Sequence, residues 1–211
     1  MKDMYIKIKE LADKYRSNLK NKLENRIEEM QNDDNSHYLI YKVLGISEKE
    51  GELIDIYQNK GRFLYKYAGS FLEEAAFLCF KSKFPSAKKE KIDNTISIRP
   101  KTFEIDCLVK KNAYEIKWKD ATTDGDHITK EHTRVKAISV KGYKPIGIMF
   151  YYPNREQAKK VQETLETIYK GVNGEYYHSD EAWNYLKKET GVDLLDILEK
   201  IAKEREENGY K

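Results

Sequence analysis

The sequence predicts an α/β protein, a mixed sheet flanked by helices, and three observations predict it. Phe103, Ile105, Cys107 and Val109 alternate with Glu104, Asp106 and Leu108, and Tyr114, Ile116 and Trp118 alternate with Glu115 and Lys117, the two-residue period of strands with unlike faces. The run Pro145 to Tyr152, with Ile146-Gly-Ile-Met-Phe-Tyr at its centre, reads as a buried strand that follows a helical segment, so a crossover and mixed or parallel pairing are expected. Before and after these strands, apolar residues recur at three- and four-residue intervals, the spacing of amphipathic helices.

Met4, Ile8, Leu11, Tyr15, Leu19, Leu23, Ile27 and Met30 line one long helix, whose stripe needs a partner in the following helices or in a second subunit. Gln31 to Ser36 is a polar break, and Tyr38 to Leu44 is a short helix ending at Gly45. Ser47 and Glu50 form a capping box for a helix from about Glu48 to Gln58, which Asn59-Lys60-Gly61 should break. From Gly61 to Phe84 a further helix carries Phe63, Tyr67, Phe71, Leu72, Ala75, Ala76, Cys79 and Phe80 and stops before Pro85.

A strand is expected at Thr95 to Arg99, followed by the two alternating strands with a turn at Lys110-Lys111-Asn112. A loop at Asp120 to Asp126 leads to a helix from about Ile128 to Val140, with Ile128, Val135 and Ile138 inward and Lys130, Thr133, Arg134 and Lys141 outward. After the buried strand come a helix at Glu156 to Tyr169, a loop holding Tyr176-Tyr177-His178, and helices at Asp180 to Lys188 and Leu194 to Glu206. Three regions result: 1–60, helical and packed on the core or on a dimer partner; 61–170, the core; 171–211, a helical extension.

At 211 residues, 39% hydrophobic and 36% charged, the chain suits one substantial core with a heavily charged surface. Met1 to Lys9 holds no long apolar run, so no signal peptide or membrane span is expected and the cytoplasm is the expected location. Cys79 and Cys107 lie in apolar segments and read as buried free thiols. The net charge of +3 says little, but residues 110–144 hold nine Lys/Arg against five Asp/Glu. The basic run Lys81, Lys83, Lys88, Lys89 and Lys91 reads as a solvated loop.

The chemistry concentrates in Asp106 and Glu115-Ile116-Lys117. Glu115 and Lys117 share a strand face, and a hairpin brings that face beside Asp106, so two carboxylates and an ammonium converge. Hard oxygen donors of this kind hold Mg²⁺ while leaving waters on it, which suits phosphodiester hydrolysis. The same residues also admit a plainer reading, a cross-strand surface pair on a non-catalytic DNA- or protein-binding α/β domain.

Asp106, the nine-residue step and Glu115-Ile116-Lys117 resemble the signature of the PD-(D/E)XK nucleases, with Ile105 where the signature has proline. The run Tyr114-Glu-Ile-Lys-Trp-Lys-Asp-Ala-Thr-Thr-Asp-Gly-Asp-His-Ile-Thr-Lys-Glu-His-Thr-Arg-Val-Lys136 further resembles the ApaLI-type restriction endonucleases. The resemblance implies a restriction-endonuclease-like core in which Asp106 and Glu115 hold Mg²⁺ and Lys117 positions the attacking water. It also implies a helical glutamate, met here by Glu73 in Gly69-Ser70-Phe71-Leu72-Glu73. Glu104 shares the Asp106 face by parity and would support it. The implied enzyme is a type II restriction endonuclease, a homodimer cutting both strands of a short palindromic site in duplex DNA. A repair or junction-resolving nuclease would share the site without sequence-specific contacts. Thr122, Thr123, Asp124, Asp126, His127, Lys130, His132 and Arg134, which follow the second strand, are the candidates for DNA contact. The 16 tyrosines sit mostly at core-facing spacings and read as amphipathic core.

Overall fold

A computed structural model describes residues 2–119 and 125–209. It shows a mixed α/β architecture, as the patterning predicts: the described residues form seven helices and a five-stranded sheet whose spatial order follows the chain, β1-β2-β3-β4-β5. The strands are β1 (Lys88–Asp93), β2 (Thr102–Val109), β3 (Asn112–Lys119), β4 (Lys144–Tyr151) and β5 (Glu175–His178). The helices are α1 (Lys2–Gln31), α2 (Tyr38–Val43), α3 (Glu48–Lys83), α4 (Gly125–Val140), α5 (Glu156–Lys170), α6 (Ser179–Thr190) and α7 (Leu194–Glu207). Strands β1 to β3 pair antiparallel, whereas β3, β4 and β5 pair parallel, joined by α4 and α5 as crossovers. Residues 1–9 with 72–211 form one compact unit, and residues 10–71 form a second.

Within the first unit, one sheet face packs on α4 and α5. Ala137 and Ile138 of α4 join Ile92, Phe103, Ile105, Leu108 and Ala113 in a buried cluster, and Tyr176 of β5 meets Tyr169 of α5 at 5.5 Å between ring centres. The opposite face is aromatic. Phe80 of α3 stacks on Tyr114 at 4.3 Å, and Trp183 of α6 lies 4.2 Å from Phe150. Cys79 and Cys107 are buried free thiols, as expected, and burial pushes each up to about 12. The second unit is helical: Tyr15 of α1 packs edge-on against Tyr67 and Phe71 of α3, at 6.2 and 5.8 Å.

Four expectations are corrected. Asn59-Lys60-Gly61 does not break a helix, and α3 runs unbroken for 36 residues. Asn59 Nδ2 donates to the Asp55 carbonyl at 2.9 Å, so the side chain bonds back into its own helix instead of capping an end. The first strand is Lys88–Asp93, not Thr95 to Arg99, and so takes up part of the basic run read as a loop. As an edge strand it buries only Ile92 fully and carries its lysines outward, a pattern that resembles a solvated charge run. Tyr176-Tyr177-His178 is strand β5, too short for alternation to register but paired in parallel with β4. The strict alternation of β2 is interrupted as well. Its register to β1 shifts by one residue between Lys88↔Leu108 and Glu90↔Ile105, so Ile105 and Leu108 enter the same core cluster.

A Cβ added at Gly61 meets nothing within 4 Å, and the position lies inside α3. Gly61→Ala is therefore expected to raise stability by about 0.5–1 kcal/mol through the lower entropy of the unfolded chain, read as a higher urea midpoint. An unchanged or lower midpoint would show that the helix is interrupted there.

Candidate active site

The β2–β3 hairpin turns at Lys110-Lys111 and pairs Val109↔Asn112, Leu108↔Ala113 and Cys107↔Tyr114. One step further, the Asp106 carboxylate reaches across, and its Oδ2 accepts the backbone N–H of Ile116 at 2.7 Å. The register irregularity of β2 falls between Ile105 and Leu108, and such an extra residue re-aims the side chains beside it. Asp106 thereby faces Glu115 across the hairpin, and both are buried, at 8% and 3% exposure.

Glu115 Oε1 accepts hydrogen bonds from Lys117 Nζ and from Arg134 Nη1 of α4. Glu115 Oε2 is buried and has no hydrogen-bond partner among the described residues. Arg134 Nη1 also reaches Glu131 Oε2 at 3.0 Å, one turn back on α4, and its guanidinium lies 5.6 Å from the centre of the Phe103 ring. The phenol of Tyr169 on α5 donates to Glu131 Oε1 at 2.7 Å. Gly147 of β4 sits between Glu115 and Tyr176 in the ladder, where a Cβ would come within 2.5 Å of the Tyr176 ring. A small cavity of about 10 Å³, lined by Glu115, Lys117, Glu131 and Tyr169 among others, has room for roughly one water. A larger one of about 760 Å³ lies away from these groups, lined by Met4, Tyr5, Ile197 and Glu204.

Burial raises the Asp106 carboxyl well above the ordinary carboxylate range, the neighbouring Glu115 adds to this, and Lys117 opposes it. Burial also raises Glu115, against the pull of Lys117 and Arg134. For Lys117 burial acts to lower the pKa, yet Glu115, Asp106 and Glu131 together hold it above the usual lysine value, so it stays an ammonium. Arg134 is raised in the same way and remains charged.

Glu73, on α3, forms an ion pair with Lys89 of β1, and its charge raises Asp106, which places it in the same electrostatic neighbourhood. Glu104 is exposed, 4.0 Å from Lys91. Arg134, expected to face outward, is instead turned inward onto Glu115, because a buried carboxylate on the adjoining strand draws in a cation. Lys130 and His132 are exposed on α4. Thr122, Thr123 and Asp124 lie outside the described residues; Asp126 and His127 begin α4, and their side chains are likewise outside the description. Sequence reading missed Glu131 and Tyr169. Their signal was faint: Glu131 and Arg134 stand three apart on a helix, a spacing that often marks an exposed pair.

Because the folded state binds the Asp106 proton more tightly than the unfolded chain, the ionised carboxylate costs stability as pH rises from about 4 through its raised value. Asp106→Asn keeps an acceptor for the Ile116 N–H and removes that charge. It is expected to raise the melting temperature near neutral pH, with the gain shrinking towards pH ~4; a gain equal at every pH would contradict the raised carboxyl. Arg134→Met leaves Glu131 and Glu115 without their shared cation and is expected to cost about 3 kcal/mol, whereas adding Glu131→Gln to it should recover part of that loss in denaturant titrations.

No curated protein and no solved structure is matched by the chain. A family model described as ApaLI-like restriction endonuclease matches residues 1–203 of the 211, a span that takes in the hairpin carboxylates, the crossover helices and both long N-terminal helices. The chain therefore belongs to the ApaLI-like restriction endonuclease family, which makes it an endodeoxyribonuclease that binds DNA.

Proposed function

We propose that the protein is a type II restriction endonuclease, a homodimer that cuts both strands of duplex DNA at a short palindromic site by Mg²⁺-dependent phosphodiester hydrolysis. The observation that carries this reading is Glu115, opposite Asp106 on the hairpin, whose one carboxylate oxygen is held by Lys117 and Arg134 while the other is buried and has no hydrogen-bond partner among the described residues. A buried oxygen left without a donor is costly. It is the acceptor that a cation would complete.

Enzymes of this family typically need a divalent metal. Among the described residues no three His, Cys, Asp or Glu side chains gather at ligand distance, so the protein would offer two carboxylates, Asp106 and Glu115. That donor set fits Mg²⁺, which is commonly held by one or two carboxylates and otherwise by water and phosphate oxygens. Bound there, the ion would supply a water of lowered pKa and stabilise charge developing on the phosphate.

The remaining roles belong to the chain itself. The Ile116 N–H fixes the Asp106 carboxylate, and Arg134, braced by Glu131 and Tyr169, fixes Glu115. Lys117, partly exposed and kept charged, orients the attacking water and faces the phosphate. Glu73 assists through a water, with Lys89 holding it in place. Thr122, Thr123, Asp124, Asp126, His127 and Lys130 are assigned to DNA contact, whereas Arg134 is assigned to Glu115. Two-fold protein on two-fold DNA lets one site per chain cut both strands.

The test is incubation of the purified protein with several plasmids in Mg²⁺. Discrete fragments are expected, with EDTA abolishing cleavage and Lys117→Ala and Asp106→Ala each slowing it by at least about 100-fold. Random nicking would point to a repair nuclease instead, and DNA binding without cleavage in Mg²⁺ or Mn²⁺ would overturn the reading.

A further inference from the structure

Strands β1 to β4 share one edge of the sheet at which β1, β3 and β4 end and β2 begins, because β2 runs antiparallel to both its neighbours while β3 and β4 run parallel. Lys117 stands two residues before the end of β3 and so lies near that edge. The link from β1 to β2, residues 94–101, lies at the same edge. Its conformation is set from within. Asn94 Nδ2 donates to Ser97 Oγ at 2.9 Å and to the Pro100 carbonyl at 2.7 Å, and Asn94 Oδ1 accepts the N–H groups of Ile96 and Ser97 at 3.0 and 3.1 Å. Ser97 Oγ donates in turn to the Arg99 carbonyl at 3.1 Å, and the Asn94 N–H donates to the Lys101 carbonyl at 2.9 Å. One asparagine thus braces both limbs of the loop.

The braced loop presents its side chains to solvent. Ile98 is 91% exposed, the highest value for a large apolar side chain among the described residues, and Arg99 and Lys101 are exposed beside it. Residues 94–101 contain no acid, and among the described residues neither cation has an ion pair or a side-chain hydrogen bond. Single exposed apolar side chains are ordinary on protein surfaces. This one is fixed on a braced loop beside two cations, at the edge where a duplex must lie for its phosphate to reach the partly exposed Lys117. An antiparallel two-stranded ribbon fits the major groove, where an apolar side chain meets apolar base edges such as the thymine methyl, while cations hold phosphates without reading sequence. A loop already held in shape also gives up little conformational freedom on binding. We propose that the β1–β2 loop enters the major groove of the bound duplex, with Ile98 against the base edges and Arg99 and Lys101 on the flanking phosphates. The sequence preference given to Ile98 rests on the site-specific nuclease reading, whereas the phosphate contacts rest only on the family's binding of DNA.

The test uses the full chain carrying Lys117→Ala, so that DNA is bound in Mg²⁺ without being cut. To this background are added Ile98→Ser, the pair Arg99→Gln/Lys101→Gln, or the pair Lys110→Gln/Lys111→Gln, which removes the same charge from the turn at the far end of the β2–β3 hairpin. All five positions are exposed, so unchanged melting temperatures are expected. A random-sequence duplex pool is selected by binding and sequenced, and affinity for one duplex is followed across a salt series. The background protein is expected to enrich a short motif, and Ile98→Ser to relax it by about tenfold at one or two base pairs. Arg99→Gln/Lys101→Gln should keep the motif but lower the slope of log affinity against log salt by about 2. A background protein that enriches no motif, an Ile98→Ser motif identical to the background's, or a slope for Arg99→Gln/Lys101→Gln no lower than that of the Lys110/Lys111 control would each overturn the proposal. Plasmid cleavage by the protein with Lys117 in place separates the two readings. Discrete fragments together with unaltered binding by the loop variants leave the nuclease reading intact and remove the loop from the DNA, whereas binding altered by those variants without any cleavage in Mg²⁺ or Mn²⁺ keeps the loop on DNA and removes the nuclease reading.

Discussion

The first unit is organised around one constraint: a carboxylate, Glu115, placed in the interior of a sheet. A buried charge must be met by opposite charge and hydrogen bonds. Lys117 answers it from the same strand and Arg134 from the crossover helix α4. Arg134 is itself buried enough to need a second acid, which Glu131 supplies, and Glu131 takes the Tyr169 phenol from α5. One strand and two helices thus have their relative positions tied to a single polar network. A displacement of any one of them weakens the hold on its neighbours in the network.

Asp106 enters this network through the backbone instead of through another side chain. The irregularity in β2 interrupts the alternation beside Asp106, and the Ile116 N–H holds its carboxylate near Glu115. Burial raises the pKa of both acids, and at Asp106 the charge of Glu115 adds to it. The opposite sheet face packs through aromatic rings, Phe80 on Tyr114 and Trp183 on Phe150.

The chain also separates two kinds of surface chemistry. The carboxylate site is polar, walled by charged side chains of β3 and α4 and bordered by the lysine-bearing edge strand β1. The outer face of α2 is apolar, and Lys42, the charged residue of that helix, is paired with Glu48.

Much of this was legible in the sequence. The hairpin strands, the buried β4 and the long helices follow from periodicity, because a side chain's face on a strand or helix is set by local geometry alone. Asp106, Glu115 and Lys117 stand out because alternation places charged residues on strands that are otherwise apolar, a pattern that also admits a cross-strand surface pair. What periodicity could not supply was everything decided by a partner distant in the chain. Edge strand β1 looks like a charge run until β2 pairs with it, and β5 has four residues, too few for a pattern, until β4 lies alongside. Helix α3 survives Gly61 because packing along a long helix outweighs one poor residue. Arg134 looked like a DNA-facing cation, since nothing local distinguishes a helical arginine that faces solvent from one that faces a buried acid 19 residues away. The sequence by itself determined which residues carry charge and which local face each shares; only the tertiary structure decided which charges meet, because an ion pair across elements depends on how the strands and helices pack.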